Sequence, residues 1–508
     1  MHTKVYRLAE MQPEQVEHAF CDCASIIKAG GLVAFPTETV YGLGALATSS
    51  SAVQAIFRAK GRPQDNPLIV HIQNEEQLRK IARRVPESAA KLAKEFWPGP
   101  LTLVLETGHA VAEEVSAGLD TVGVRMPAHP VALELIRRSG PLAAPSANTS
   151  GRPSPTCAEH VLEDLDGKIH AVLDAGPTGV GLESTVLDLC CEPPAILRPG
   201  GVSYEAIRQI LPDVLVSPSC EQERPRSPGQ KYTHYAPKAR LVLVSAKEHA
   251  ALAHLVGEQT AALLGEVGRV GILATRENAP IYEAVFAQQL REGRLMVLVS
   301  GSRAAPAEIA ASLFDRLRQF DAQAVDAVVA EGVSEVNIGR AIMDRLRRAA
   351  SKVVTPRFHV LFLCTGNTCR SPMAEALFRE IARERRIEDR IEFSSAGIAA
   401  VPGMAAAEHA IQAVGEELRS HASRELTKDV VSGADLILTM TEAHKRYVTE
   451  RYPHAAHKVH TLPEYVEDAA GDVEDPFGGT LETYEKTREQ IQRMAELFFE
   501  RFLKERRT

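Results

Sequence analysis

The stretch "HVLFLCTGNTCRSPMAEALF", residues 359–378, places two thiols, Cys364 and Cys369, and the guanidinium of Arg370 in one short loop. A thiolate is a nucleophile, and a planar guanidinium can hold two oxygens of a phosphoryl group. Residues 358–363 read as a buried strand, and Ser371 and Pro372 as the N-cap and first-turn proline of the helix that follows. The loop residues Thr365, Gly366, Asn367, Thr368 and Cys369 then offer their amides at the positive end of a helix dipole. A tetrahedral oxyanion can sit there, and the same field favours the thiolate of Cys364. Cys-x5-Arg-Ser therefore assembles nucleophile, anion cradle and clamp. A Walker loop is excluded because no GxxxxGK[ST] occurs, and Cys364-x4-Cys369 has the wrong spacing for a thioredoxin-type pair.

A second set of polar residues lies near the other end of the chain. "FPTETVYGLGALA" and "FRAKGRPQDNPLIVHI" put hydroxyls and the pair Lys60-x-Arg62 between apolar strands, a pair able to neutralise a triphosphate. "TVGVRMP", "APSANTSGRPSPT", "GLESTVLDL" and "LRPGGVS" add Arg125, Ser146, Asn148, Ser184 and Arg198, each beside turn residues at a strand end.

The elements that must position these groups can be read from apolar runs bounded by Gly, Pro and Asn. Strands are predicted at "GLVAF", "PLIVHI", "LTLVLE", "VGVRM", "STVLDL" and "AILRP". The proline-rich residues 216–238 read as a linker. Beyond it, strands and helices alternate over 239–352, which predicts a small, mainly parallel sheet covered by helices. Residues 357–508 alternate similarly and end in a long charged helix. At 508 residues the chain is long enough for roughly three domains of about 150 residues each. With 45% hydrophobic and 24% charged residues and a net charge of −8, no global basic field marks nucleic-acid or membrane binding. The amino terminus carries no apolar run of a signal peptide, and no stretch of 18 apolar residues occurs, so a cytoplasmic location away from membranes is expected. Cys21-x-Cys23 and Cys190-Cys191 lack partner pairs at zinc spacing, so no metal site is expected.

Residues 357–508 resemble the low-molecular-weight protein-tyrosine-phosphatase family, through the cysteine loop, "SSAGI", "ADLILTMTEAHK" and "GDVEDPFGGTLETYEKTR". The resemblance implies a flavodoxin-like parallel sheet and catalysis by Cys364, Arg370 and Asp475 with no cofactor. Asp475 of Asp475-Pro476 would protonate the leaving group after Cys364 attacks phosphorus, and water would then hydrolyse the phosphocysteine. Asn367 and Ser371 match positions that hold the loop and stabilise the thiolate. Cys369 matches a cysteine able to pair reversibly with Cys364. Thr368 is similar to the bacterial branch that acts on phosphoarginine, with phosphotyrosine as the alternative.

Residues 1–350 resemble the longer, two-domain YrdC-like threonylcarbamoyl-AMP synthases: a twisted mixed-sheet domain (1–215), a linker that folds over the pocket (216–238) and a small Rossmann-like α/β domain (239–352). The resemblance implies that L-threonine, bicarbonate and ATP, carried with Mg2+, form threonylcarbamoyl-AMP for the machinery that makes the t6A modification of tRNA. Thr39, His71, Arg125, Ser146 and Ser184 would line the threonine side. Lys60, Arg62, Asn66, Thr121, Asn148, Thr156, Arg198 and Tyr235 would line the ATP side. Thr233 stands where relatives often carry arginine in the lid. A rival reading makes this half an RNA-binding regulatory module. No catalysis is assigned to 239–352, and the phosphatase half implies a phosphoprotein substrate.

Overall fold

A computed structural model describes residues 2–108, 110–216, 235–246, 248–467 and 471–505. Thr233 and most of the expected linker lie outside the described residues. The chain forms two compact units, residues 1–354 and 355–508. The segments 1–215 and 239–352 both belong to the first.

Among the described residues, the first unit holds two sheets. The larger contains β1 (Lys4–Arg7), β2 (Val33–Phe35), β3 (Gly42–Leu46), β4 (Ile69–His71), β5 (Leu101–Glu106), β6 (Thr121–Arg125), β7 (Leu142–Ala143), β8 (Ala171–Asp174), β9 (Thr185–Asp188), β10 (Ala195–Arg198) and β11 (Leu215–Val216). Their order is β1-β8-β2-β3-β7-β4-β6-β5-β9-β10-β11. The pairing is mixed: β4 and β6 run parallel, whereas β5–β6 and β9–β10 are antiparallel. The smaller sheet, β14-β13-β15-β12-β16, is built from β12 (Arg240–Val244), β13 (Val270–Thr275), β14 (Leu295–Gly301), β15 (Ala327–Glu331) and β16 (Lys352–Val354), all paired in parallel. Helices Pro306–Ala322 and Gly339–Ala349 carry the chain between its strands. The two segments share one apolar core, in which Val40 and Leu182 pack with Leu313, Phe314 and Ile342.

The second unit is a four-stranded parallel sheet, β18-β17-β19-β20, of β17 (Phe358–Cys364), β18 (Ile391–Gly397), β19 (Leu436–Thr439) and β20 (Val459–Thr461). Buried Phe362, Phe378, Phe393, Phe498 and Phe499 join β17 and β18 to helices Arg370–Glu384 and Leu481–Glu505, with Phe362 and Phe378 centroids 4.6 Å apart. Each such ring contributes roughly 1.5–3 kcal/mol by leaving water. This core fixes the carboxyl end of β17, where Cys364 sits. Among the described residues, no helix is long and apolar enough to cross a membrane.

Candidate functional site

In the second unit, Cys364 ends β17 and Arg370 opens the next helix, so the intervening loop lies at the carboxyl edge of a parallel sheet, where such folds bind ligands. The helix starts one residue before the expected N-cap. Cys369 holds the N-cap position without a side-chain cap bond. The Ser371 hydroxyl is taken elsewhere, 2.9 Å from Cys364 Sγ.

Asn367 organises the loop. It is fully buried in the left-handed region, with φ +54°, a conformation asparagine tolerates better than most residues. Its amide N–H donates to Cys364 Sγ (3.3 Å), and its Nδ2 donates to Ser371 Oγ (3.0 Å) and Ser395 Oγ (2.8 Å). The Arg424 amide donates to Asn367 Oδ1 (2.9 Å), and His421 Nε2 lies 2.7 Å from the Asn367 carbonyl. Ser395 Oγ donates in turn to Glu375 (2.6 Å). Gly397 lets this loop approach: a Cβ there would stand 2.6 Å from the Thr365 carbonyl.

Arg370 Nη2 donates to Asp475 Oδ2 at 2.6 Å, so clamp and carboxylate face one another across the loop. The Asp475 side chain remains half exposed, free to move when an anion competes for the guanidinium. Cys369 Sγ lies 3.3 Å from Tyr484 Oη, and Thr368 Oγ1 lies 3.7 Å from Cys369 Sγ. His444 supports Thr365 through Nε2 (2.9 Å) and meets Thr441 Oγ1 through Nδ1 (2.9 Å). Burial, and then the Arg370 charge, lower its pKa to about 4, so it is neutral at pH 7. His444, Ser395, His421, Arg424 and Glu375 were not singled out as site residues from the sequence. "SSAGI" and "TMTEAHK" contain two of them, and only spatial closeness to Asn367 or Thr365 distinguishes them from ordinary core residues.

In the first unit, an open cavity is lined by Thr39, His71, Arg125, Ser146 and Ser184 together with Lys60, Arg62, Asn148, Arg198 and Tyr235. Strand pairing creates much of it. His71 and Arg125 are register partners at the carboxyl ends of parallel β4 and β6, so imidazole and guanidinium lie side by side. Burial, then Arg125, lower the His71 pKa to about 3, and its Nδ1 has no partner among the described residues. Arg125 pairs with Glu38 at 2.6 Å. Arg198, ending β10, donates to the Ser184 carbonyl (3.0 Å) and hydroxyl (3.2 Å).

Lys60 is buried, with Nζ donating to the carbonyls of Ser146 and Asn148. Burial, and then Arg62, push its pKa well down. Ser146 Oγ donates to Asn148 Oδ1 (2.5 Å), and Asn148 Nδ2 donates to the carbonyls of Thr149 (2.9 Å) and Arg152 (2.8 Å). The Ser-x-Asn segment is thus pinned by the lysine as well as exposed to the cavity. Arg62 Nη2 donates to the Pro67 carbonyl at 3.0 Å. Tyr235 is buried with φ +67°.

Asn66, Thr121 and Thr156 are not among the residues lining the cavity. Asn66 is buried beside Arg62, whose Nε donates to its carbonyl (3.3 Å). Thr121 starts β6, four residues from Arg125 and hence roughly 13 Å along the strand. Thr156 turns to His160, whose Nδ1 lies 3.4 Å from its hydroxyl. Conversely, Thr37, Ser154 and Glu183 line the cavity and were not singled out.

The second unit has the build of a cysteine-dependent phosphatase. The first has that of an enzyme that orients an anionic and a smaller polar substrate by charge and hydrogen bonds. Family models described as "Telomere recombination" and "Threonylcarbamoyl-AMP synthase, C-terminal domain" match residues 25–200 and 202–351, and "Low molecular weight phosphotyrosine protein phosphatase" matches 359–508. The threonylcarbamoyl-AMP synthase of Bacillus subtilis is 48% identical over 332 residues, 64% of this chain and 91% of that protein. The crystal structure of Pyrococcus abyssi Sua5 complexed with L-threonine aligns with TM-score 0.62 at 42% identity, covering 70% of this chain and 99% of that one. A protein-arginine-phosphatase of Bacillus subtilis is 41% identical over 150 residues, 29% of this chain and 99% of its own length. The chain therefore belongs to the threonylcarbamoyl-AMP synthase family over its first unit and to the low-molecular-weight phosphatase family over its second. It is an enzyme of the first kind fused to a phosphatase domain.

Proposed function

We propose that the first unit forms threonylcarbamoyl-AMP and pyrophosphate from L-threonine, bicarbonate and ATP, and that the second hydrolyses phosphoarginine on proteins. The observation carrying the first part is the convergence of His71, Arg125 and Ser184 with Lys60, Arg62 and Arg198 on one cavity. Arg125 receives the threonine carboxylate, exchanging it for Glu38, while neutral His71 and the hydroxyls of Thr39 and Ser146 seat the rest. Arg62 and Arg198 offset the charge developing at the α-phosphate as pyrophosphate leaves. Lys60 acts chiefly by holding the Ser146–Asn148 segment. No side-chain nucleophile is needed, because the carbamate of threonine attacks phosphorus and the protein supplies proximity. Mg2+ travels on the ATP phosphates: the lining carboxylate Glu183 is already engaged by Ser154 and Arg345. The product feeds the machinery that transfers the threonylcarbamoyl group to tRNA.

The Cys364–Ser371–Asn367 network facing the Arg370–Asp475 pair supports the second part. Cys364 attacks phosphorus, the P–N bond breaks, and Asp475 gives its proton to the departing guanidine. Asp475 then takes a proton from the water that cleaves the phosphocysteine and releases phosphate. The arrival of the phosphoryl group draws Arg370 off Asp475, freeing the acid as the substrate binds. The test compares kcat/KM on phosphoarginine and phosphotyrosine peptides. Preference for phosphotyrosine would replace the arginine reading.

A further inference from the structure

Two buried arginines of the 239–352 segment bind residues of the 1–215 segment, and one of them, Arg345, reaches the wall of the synthase cavity. Arg318, on helix Pro306–Ala322, donates through Nη2 to the Pro153 carbonyl (2.6 Å) and to buried Asp164 (2.8 Å). Arg345, on helix Gly339–Ala349, has a fully buried side chain and donates through Nε to Glu183 Oε2 at 2.7 Å. The other oxygen of Glu183 accepts from Ser154 Oγ at 2.5 Å. The Arg345 guanidinium also lies 5.1 Å over the ring of Tyr235, which stacks on Phe314 with centroids 5.3 Å apart. Ser154, Glu183 and Tyr235 all line the cavity. The seam between the segments has no slack near this point: a Cβ on Gly181 would stand 2.4 Å from the backbone of Ala310 and Ala311.

A helix presenting charges to solvent would not place a guanidinium here. Removing a buried charge from water is costly unless its geometry is well satisfied, and Arg345 has both an ionic partner and an aromatic face. Although burial pushes the Glu183 carboxyl up, Arg345 and Arg198 hold it below the usual range, so the pair stays ionised. Arg345 also pairs with Asp344 of its own helix, but its two partners across the seam, Glu183 and Tyr235, both line the cavity, and Tyr235 is on the side given to ATP.

We propose that Arg345 is a positioning residue for the nucleotide, setting Ser154 through Glu183 and setting Tyr235 through its own flat face. The segment 239–352 is then a structural part of the synthase site. This rests on the proposed synthase function. Arg345 does not touch the reacting atoms, so its loss should loosen ATP and leave threonine largely unaffected.

The test uses the full chain, measuring threonylcarbamoyl-AMP formation with ATP and L-threonine varied separately. Arg345→Met should raise KM for ATP at least tenfold while KM for threonine stays within twofold. Arg345→Lys, which keeps the charge and loses the planar fork, should fall between. If Arg345→Met does not fold, Arg345→Lys and Glu183→Gln carry the test, and each should show the same split. A purely structural role would lower the active fraction and the apparent kcat with both KM values unchanged, and that result overturns the inference. So does an equal rise in both. A wild-type chain that makes no threonylcarbamoyl-AMP overturns the proposed function itself.

Discussion

Replacing Ser371 with alanine should slow breakdown of the phosphocysteine more than its formation. The Ser371 hydroxyl sits 2.9 Å from Cys364 Sγ, and because Asn367 Nδ2 donates to the same oxygen, its proton is free to point at sulfur. When Cys364 attacks, that hydrogen bond weakens as the sulfur loses charge to the new S–P bond. When the thiolate leaves, the bond is regained. An interaction stronger in the transition state than in the ground state accelerates only the step in which that holds, which here is departure. A hydrogen bond to a charged group is worth about 1.5–3 kcal/mol, or roughly 10- to 150-fold in rate. Stopped-flow hydrolysis of p-nitrophenyl phosphate should therefore show, in Ser371→Ala, a burst of nitrophenol close to one per site followed by a slow steady rate. Acid quenching with labelled substrate should trap the phosphocysteine. A steady rate within twofold of wild type, with no burst, would refute the argument.

Thr368→Ile should shift preference from phosphoarginine toward phosphotyrosine. Its larger apolar side chain desolvates a guanidinium and packs on a ring, an effect of roughly 1–3 kcal/mol, or about 10- to 200-fold in the ratio of kcat/KM values. Unchanged ratios would remove Thr368 from the specificity determinants. The depressed pKa of His444 predicts an acid-sensitive fold. The unfolded chain binds a proton near pH 6.5 and the native site only near pH 4, so stability contributed at neutral pH falls as pH drops through that window. In calorimetry, His444→Gln should flatten the decline between pH 6.5 and 4 relative to wild type. An identical slope would contradict the buried neutral assignment.

The proposed phosphate loop is legible in the sequence because its chemistry is contiguous: the candidate nucleophile, cradle and clamp occupy residues 364–371. Its supports were not. Ser395, His421 and His444 come from distant parts of the chain and are ordinary residue types until the fold brings them to Asn367 and Thr365. Ser371 had the residue type and position of an N-cap, but a nearby thiol captured its hydroxyl. In the first unit, "GLGAL" carries no strand signal in the sequence. It is β3, buried, with small residues and no alternation, and its Gly44 makes room for the Phe35 ring, 2.7 Å from where a Cβ would be. The stretch "AIMDRLRRAA" lies in helix Gly339–Ala349, and in sequence its arginines look like a solvated face. Arg345 is buried because Glu183, its partner, lies 162 residues earlier. Local spacing places an arginine on a helix, but only tertiary pairing can say that it faces inward.

The central claim is that one chain holds two chemically independent active sites. The most direct measurement quantifies threonylcarbamoyl-AMP formation and phosphoarginine hydrolysis on the same preparations of wild type, Arg62→Ala and Cys364→Ser. Wild type should perform both reactions, Arg62→Ala should retain only the hydrolysis, and Cys364→Ser should retain only the synthesis. A wild-type chain lacking either activity, or a variant that loses both, would contradict the account.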